Sequence, residues 1–565
     1  MNEQRNLVLA SVLAIAVLLG FNFFYDAPKQ QQQMQSKIVA QTEQLAQPQA
    51  PEPVKEVAVD RTQALSANHR IKINAPLVHG SINLTGAQID DVTFAHYHET
   101  PDPKSSEIIL LSPKSTTHPY YVDFGWLTKQ ENIPVPSKTT IWKADKTELT
   151  PQQPVILTWD NGQGVTFKRT ISIDDQYMFS IEDDVVNNSN STLSLNAYGQ
   201  ITRVGTPQTG GYFILHEGPI GVLGGKLVEL DYAKLLEKGQ QQQTTTGGWL
   251  GITDKYWLVS LIPTQNTAVE TRFKGHALDG VNYYQTETIY PTVDVAKGQT
   301  HKVTQHLFAG AKKLTILDGY EEKLGFSKFD LAIDFGWFYF LTKPLFYLLD
   351  YLNKIFGNFG IAILVMTVMF KLAFFPLANK SYRSMARMKQ MQPKLEQLKK
   401  RYGDDKMRMN QELMEVYKRE KINPLSGCLP VLIQAPVFFC LYKVLFVTLE
   451  MRQAPFFGWI HDLSMPDPTS VFNLFGLLPF TPPSFLMIGA WPILMGITMF
   501  LQQKLNPQPT DPAQAKAFMI MPFFLTFLLS SFPAGLVIYW AWSNILSIVQ
   551  QWAIMRLDTK KEASE

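Results

Sequence analysis

Two spacings of apolar residues divide the chain. From about Arg61 to Leu317 apolar and polar positions alternate in short runs, as in Arg70-Ile71-Lys72-Ile73, Lys168-Arg169-Thr170-Ile171-Ser172-Ile173 and Thr192-Leu193-Ser194-Leu195. Successive side chains of a strand point to opposite faces, so a period of two predicts strands with one buried face. Asn, Asp, Gly and Pro punctuate the runs, which predicts antiparallel pairing. Residues 61–317 are too many for one sheet and carry little helical signal. They predict a large all-β sandwich of two packed sheets.

After Asp318 the pattern turns helical. Residues 318–357 form a connector, and its run from Phe335 to Phe356 is aromatic-rich but broken by Lys343-Pro344, Asp350 and Lys354. That mixture predicts an amphipathic helix lying in a membrane interface. Long apolar runs follow, at Asn358–Leu377, Leu425–Thr448, Ser484–Lys504, Ala517–Ser531 and Pro533–Met555. A bilayer core needs about 20 apolar residues, so these predict a five-span helical core over 358–555. The fourth run is short and shares a tight turn at Phe532-Pro533 with the fifth. Residues 1–25 hold a sixth apolar run, Leu7 to Tyr25, that ends in an aromatic belt without a small-x-small cleavage site. It reads as an uncleaved anchor rather than a signal peptide. Residues 26–60, rich in Gln, Pro and Ala, read as a flexible linker, and 556–565 as a tail. The fold class expected is a membrane α-helical bundle of six transmembrane helices plus an all-β sandwich.

Charge placement orients these elements. The net charge of +2 gives no bulk attraction to nucleic acid. Lysine and arginine crowd residues 379–423, from Lys380 to Lys421, whereas Glu450 to Pro483 holds only Arg452. By the positive-inside rule the first loop is cytoplasmic and the second is outside. Both termini are then cytoplasmic and the β domain lies outside. Cys428 and Cys440 are about 18 Å apart along a helix and cannot pair. The β domain has no cysteine. No Walker A, GxSxG, HExxH or dinucleotide glycine pattern occurs. His96 and His98 share a strand face but have no third ligand, so no metal is expected.

Lys371 stands out because it interrupts the apolar run Ile361 to Pro376. A lysine at a membrane helix centre costs roughly 2.5–3.5 kcal/mol. Snorkelling to the headgroups near Lys380 accounts for it, and so does a wet cavity inside the bundle. Thr367 lies one turn above it. Tyr539, Ser543, Ser547 and Gln550 recur at spacings of four, four and three, which is one helix face. Gln434 sits at a depth similar to Lys371. Interhelical hydrogen-bond glue and a hydrated groove both fit this stripe, and the added lysine favours the groove. The basic loop predicts two helices, Ser381–Arg401 and Asp405–Lys421, about a turn at Tyr402-Gly403-Asp404. Its Met385, Met388, Met391, Met407, Met409 and Met414 suit either contact with varied apolar clients or packing within the hairpin.

Several stretches resemble the YidC/Oxa/Alb family of membrane insertases. They are Ile422-Asn423-Pro424-Leu425-Ser426-Gly427-Cys428-Leu429-Pro430-Val431-Leu432-Ile433-Gln434-Ala435-Pro436, Arg452-Gln453-Ala454-Pro455-Phe456 and Phe532-Pro533-Ala534-Gly535-Leu536-Val537-Ile538-Tyr539-Trp540. The layout of anchor, large domain and five spans is similar to the Gram-negative form. The resemblance implies a periplasmic β-supersandwich like that of sugar mutarotases, an inner-membrane location and no cofactor. It implies insertion and chaperoning of membrane proteins without nucleotide hydrolysis, through a positively charged groove. Implied partners are newly made membrane proteins, the Sec translocon, the ribosome and targeting machinery, and lipids. Lys371 stands where bacterial members usually carry arginine; it keeps the charge but not the bidentate fork. Thr367 and Tyr539 match groove positions, and Trp540 stands where a second tyrosine is expected. A transporter or channel using the buried lysine, or an envelope enzyme acting on glycans, are the competing readings.

Overall fold

The computed structural model describes residues 51, 58–130, 132–209, 215–336, 338–402, 405–419, 429–480, 482–483, 486–506 and 512–562. The expected anchor and nearly all of the expected linker lie outside the described residues. Chain contacts divide the protein into two compact units. One comprises Ala50–Ala386 with Leu425–Glu565, and the other includes Arg387–Pro424.

The alternating runs form strands. Val165–Ile173 and Met178–Asn187 bury nearly every second residue and pair antiparallel, with Ile171 opposite Ile181. The strands assemble into an eleven-stranded and a nine-stranded sheet. In the larger, Phe273, Thr286, Ile201 and Val122 fall in one row across four neighbouring strands and are buried. The smaller sheet contributes Phe167, Ile181 and Leu307 to the same core. The Tyr120 hydroxyl donates to the Ile252 carbonyl of the opposite sheet at 3.3 Å. Arg169 is buried among these layers, with Nε 2.7 Å and Nη2 3.2 Å from the Asp183 carboxylate and the Trp142 ring 5.3 Å away. A buried charge of this kind is tolerated only when paired.

Helix begins at Leu314 rather than Asp318. Leu314, Leu317 and Tyr320 are all buried. Their spacing of three is a helix face, which strand-like alternation upstream obscures. The helix Tyr339–Phe356 buries Thr342, Leu345, Phe346, Leu349 and Leu352, one stripe at helical spacing, and leaves Phe340, Tyr351 and Ile355 exposed. It meets the next helix, Phe359–Ala373, at 119°. Gly357 makes that corner with φ +68°, and Asn358 caps the new helix by accepting from the Ile361 N–H at 3.1 Å. Lys343 holds the first helix to the connector, 2.9 Å from Asp318 and 2.5 Å from Asp330.

The helices Phe359–Ala373, Leu429–Val447, Ala490–Leu505, Pro512–Leu529 and Ala534–Glu562 overlap the five expected spans. Among the described residues no single helix is long and apolar enough to cross a membrane, though the bent pair Tyr339–Phe356 and Phe359–Ala373 meets that test together. The third helix starts at Ala490, six residues later than expected. Asp467 fixes that start by accepting from the Trp491 N–H at 2.9 Å. The helices Ala490–Leu505 and Pro512–Leu529 approach so closely that a Cβ on Gly496 would lie 2.0 Å from the Thr526 hydroxyl.

The β domain packs on one end of this helical region. Lys443 reaches Asp334 at 2.9 Å, Arg452 donates to the His98 carbonyl, and Lys255 lies 3.9 Å from the Phe446 ring centroid. In the other unit, Gln392–Tyr402 and Lys406–Arg419 are two helices joined through Met391 and Val416, which are buried against Met388, Leu398 and Tyr417. The single helix expected over Ser381–Arg401 is interrupted at Met391, between Phe375–Gln390 and Gln392–Tyr402.

Candidate functional site

Lys371 lies twelve residues into its helix from Phe359, about 18 Å from the β-domain end. Its side chain does not run outward to solvent. Its ammonium donates to Ser547 Oγ at 2.7 Å, and Ser547 donates in turn to the Ser543 carbonyl at 2.9 Å. Gln434 Nε2 donates to Ser543 Oγ at 2.5 Å, and the Tyr539 hydroxyl shares a hydrogen bond with Gln434. Three helices therefore meet through one polar chain: Phe359–Ala373 through Lys371, Leu429–Val447 through Gln434, and Ala534–Glu562 through Tyr539, Ser543 and Ser547.

These side chains border a cleft of about 60 Å³, room for a few water molecules. Thr367, Lys371, Gln434, Tyr539, Ser543 and Gln550 supply its polar lining, together with Tyr382. Phe370, Phe374, Leu377, Ala378 and Val437 supply the apolar part, and among the described residues no Asp or Glu lines it. Gln550 Nε2 is buried without a hydrogen-bond partner, and a roomy polar cleft is where such a donor finds water. Toward the β domain the polar side chains give way to a cluster of aromatic rings. Phe438 stands 4.9 Å from Trp540 and 6.4 Å from Tyr442, and Tyr442 stands 5.5 Å from Phe532.

Not every expected residue faces the cleft. Trp540 belongs to this aromatic cluster and packs against the Met495 and Val537 cluster. Ser547 holds Lys371 from behind the lining. Thr367 lines the cleft but donates its hydroxyl to the Ile363 carbonyl at 2.6 Å. Tyr382 was not anticipated. It shares a hydrogen bond with Ser547 and is buried beside Met385 and Ile554. Its signal was present: Ala378, Tyr382 and Met385 form a helix stripe in a segment otherwise marked by its charges. Of the six loop methionines, Met385 and Met391 are buried in packing, Met388 and Met409 are half-buried, and Met407 and Met414 are exposed. His98 Nδ1 bonds the Ser105 carbonyl at 2.8 Å and His96 is exposed. Asp318, Glu321 and Asp330 do converge, but Lys343 sits among them and pairs with two of the three.

Comparison with known proteins bears on this architecture. Residues 70–348 match the family described as the YidC periplasmic domain, and residues 351–562 the family described as 60Kd inner membrane protein. A membrane protein insertase YidC from Methylobacterium nodulans is 50% identical, covering 98% of this chain and 95% of that one. Its counterpart from Bradyrhizobium diazoefficiens is 49% identical, covering 98% and 96%. A solved structure of an active YidC insertase aligns over 96% of this chain and 98% of that one, at 17% identity and a TM-score of 0.37. A galactose mutarotase related enzyme from Lactobacillus acidophilus aligns over 42% of this chain and 97% of that one, at 10% identity and a TM-score of 0.30. Neither structural likeness carries an activity across. With two family matches in tandem and half of its residues identical to a relative along nearly the whole length, the chain belongs to the YidC family of inner-membrane proteins with a periplasmic domain.

Proposed function

We propose that this protein inserts newly made membrane proteins into the inner membrane and assists their folding, using the cleft around Lys371 as the entry for client segments. The observation that carries this reading is a lysine ammonium held by a serine inside the helical region, in a cleft with no acidic residue among the described residues that line it. An uncompensated positive charge in a low-dielectric setting attracts a carboxylate strongly. A short acidic or polar tail of a client would exchange bulk water for this wetted cleft on its way across. The client's apolar segment would then leave sideways along the helices Leu429–Val447 and Ala534–Glu562 and gain its transfer free energy in lipid. The membrane potential adds about 2.3 kcal/mol per charge per 100 mV to the crossing of an acidic tail.

In this account the five helices from Phe359 onward form the insertase core, and the segment 1–25 is a further anchor. The basic loop 379–423 and both termini face the cytoplasm. The exposed Met407 and Met414 receive apolar client segments there. The Sec translocon, the ribosome and its targeting machinery are the partners, and no nucleotide is hydrolysed.

Site-specific photocrosslinking tests the route. A photoreactive residue at Gln550 or Val437 should capture a ribosome-bound client during insertion, and one at the exposed Tyr351 should not. Equal capture at all three positions, or capture at Tyr351 alone, would remove the cleft from the pathway.

A further inference from the structure

The segment between the helices Leu429–Val447 and Ala490–Leu505 carries an apolar surface that the insertion route does not use. Between Asp467 and Lys504 no residue is charged. Within Val471–Gly476 and the turns that follow, Phe472, Leu474, Phe475, Leu477, Leu478 and Phe480 all point outward, with Leu477 83% exposed. A water-facing loop would present polar side chains, and a contiguous apolar patch of this kind marks a contact surface.

The backbone of the loop points to the nature of that contact. The Phe475 N–H donates to the Ser470 carbonyl at 2.8 Å, and the Gly476 N–H to Asn473 Oδ1 at 3.0 Å. The N–H groups of Leu477, Leu478 and Phe480 donate to the carbonyls of Leu474, Asn473 and Leu478. Pro479, Pro482 and Pro483 have no N–H to satisfy. Leu474 and Phe475 even accept left-handed backbone conformations, with φ of 51° and 58°, to close this self-bonded turn. A loop that turns its apolar side chains out and keeps its amide hydrogens within itself is suited to a solvent that cannot hydrogen-bond.

Its base fixes where it lies. Asp467 accepts from the Thr469 hydroxyl at 2.7 Å, the Trp459 indole at 3.1 Å and the Trp491 N–H at 2.9 Å, so the loop springs from the start of the helix Ala490–Leu505. That start is on the side of the β domain, because the preceding Arg452 and Gln453 both donate to the His98 carbonyl. The helix Ala490–Leu505 that follows also exposes apolar side chains, Leu494 and Ile497 among them.

We infer that residues 471–480 insert into the leaflet nearest the β domain, as a lipid anchor beside the helical core. The occupant of the surface is the acyl-chain region of the bilayer. The inference rests on the membrane location of the family and not on the client route through the cleft.

The test uses the full chain with Cys428→Ser and Cys440→Ala, reconstituted in phosphatidylcholine vesicles. A single cysteine replaces Leu477 and carries an environment-sensitive nitrobenzoxadiazole label. Parallel labels at Leu528, on an apolar helix, and at Lys104, on the β domain, report lipid and water. The label at Leu477 should emit blue-shifted, lose intensity to nitroxide-bearing lipids as the Leu528 label does, and resist iodide. Quenching by iodide as at Lys104 would overturn the inference. So would protection from both quenchers, which would mean that protein rather than lipid covers the loop. A Leu528 label that fails to respond to lipid would instead count against the membrane reading itself.

Discussion

Replacing Lys371 by Met removes one charge and one hydrogen bond while leaving a side chain of similar length. The Lys371 ammonium is held at Ser547, so a client carboxylate entering the cleft would meet it at contact distance. At about 4 Å and an effective dielectric constant near 20, a unit pair is worth about 4 kcal/mol. Part of this is lost to stripping water from the client carboxylate, which leaves about 2 kcal/mol, or roughly 30-fold in rate. Lys371→Met should therefore slow insertion of a client with an acidic tail by that order. Lys371→Glu should slow it further, because attraction becomes repulsion. Lys371→Arg should retain most activity, since the charge persists and Ser547 can accept from a guanidinium. A matched client with an uncharged tail should change little in all three. The assay is protease protection of the client's translocated segment over time. Two results would refute the reasoning: Lys371→Met inserting the acidic client at the original rate, or an equal loss for both clients, which would indicate a packing defect.

Other consequences can be read off the same geometry. Gln550 lines the cleft and is half-buried, whereas Ser543 is deeper and bonded to Gln434. Cysteines at these positions should both react with a water-soluble thiol reagent, Gln550→Cys faster than Ser543→Cys, and no reaction at either would mean dry packing. In the β domain, Arg169→Ala should destabilise by about 3–5 kcal/mol in thermal or denaturant unfolding, because it leaves the Asp183 carboxylate buried and unpaired. A change below about 1 kcal/mol would show that water reaches the pair. At the joint between β domain and helices, both Glu450 carboxylate oxygens are buried. Burial pushes this carboxyl from 4.5 up to about 7, against the weaker pull of its own backbone N–H, of Lys313 and of the Leu314 N–H, while Asp350 raises it further. The folded state then binds the extra proton between those values, so stability should fall as pH rises from about 4.5 to 7 and level off above. Glu450→Gln should flatten that dependence, as followed by melting temperature against pH; an unchanged slope would mean another group titrates.

The architecture was legible where a single periodicity dominates. Alternation in Val165–Ile173 and Met178–Asn187 survives directly as alternating burial. The stripe Tyr539, Ser543, Ser547 meets Lys371 and Gln434 because spacing on one helix face is a geometric constraint. What the sequence conceals is pairing between elements. Nothing in the pattern says that Tyr382 reaches Ser547, since its stripe is masked by neighbouring charges. Trp540 sits next to Tyr539 and so faces about 100° away, into the aromatic cluster with Phe438. Met385 and Met391 look like client contacts by composition, yet buried neighbours claim them. The start at Ala490 is likewise supported by a tertiary contact, through Asp467, whereas the break at Met391 has a local cause, because Pro393 lacks an N–H and clashes with the turn before it.

The most direct measurement is insertion of a short two-span client into vesicles containing only this purified protein, without translocon or nucleotide. The account predicts protease protection of the client's translocated loop well above that in protein-free vesicles, lost with Lys371→Glu when the loop is acidic. Protection no greater than in empty vesicles, with the protein shown to be folded and correctly oriented, would contradict autonomous insertion through the cleft.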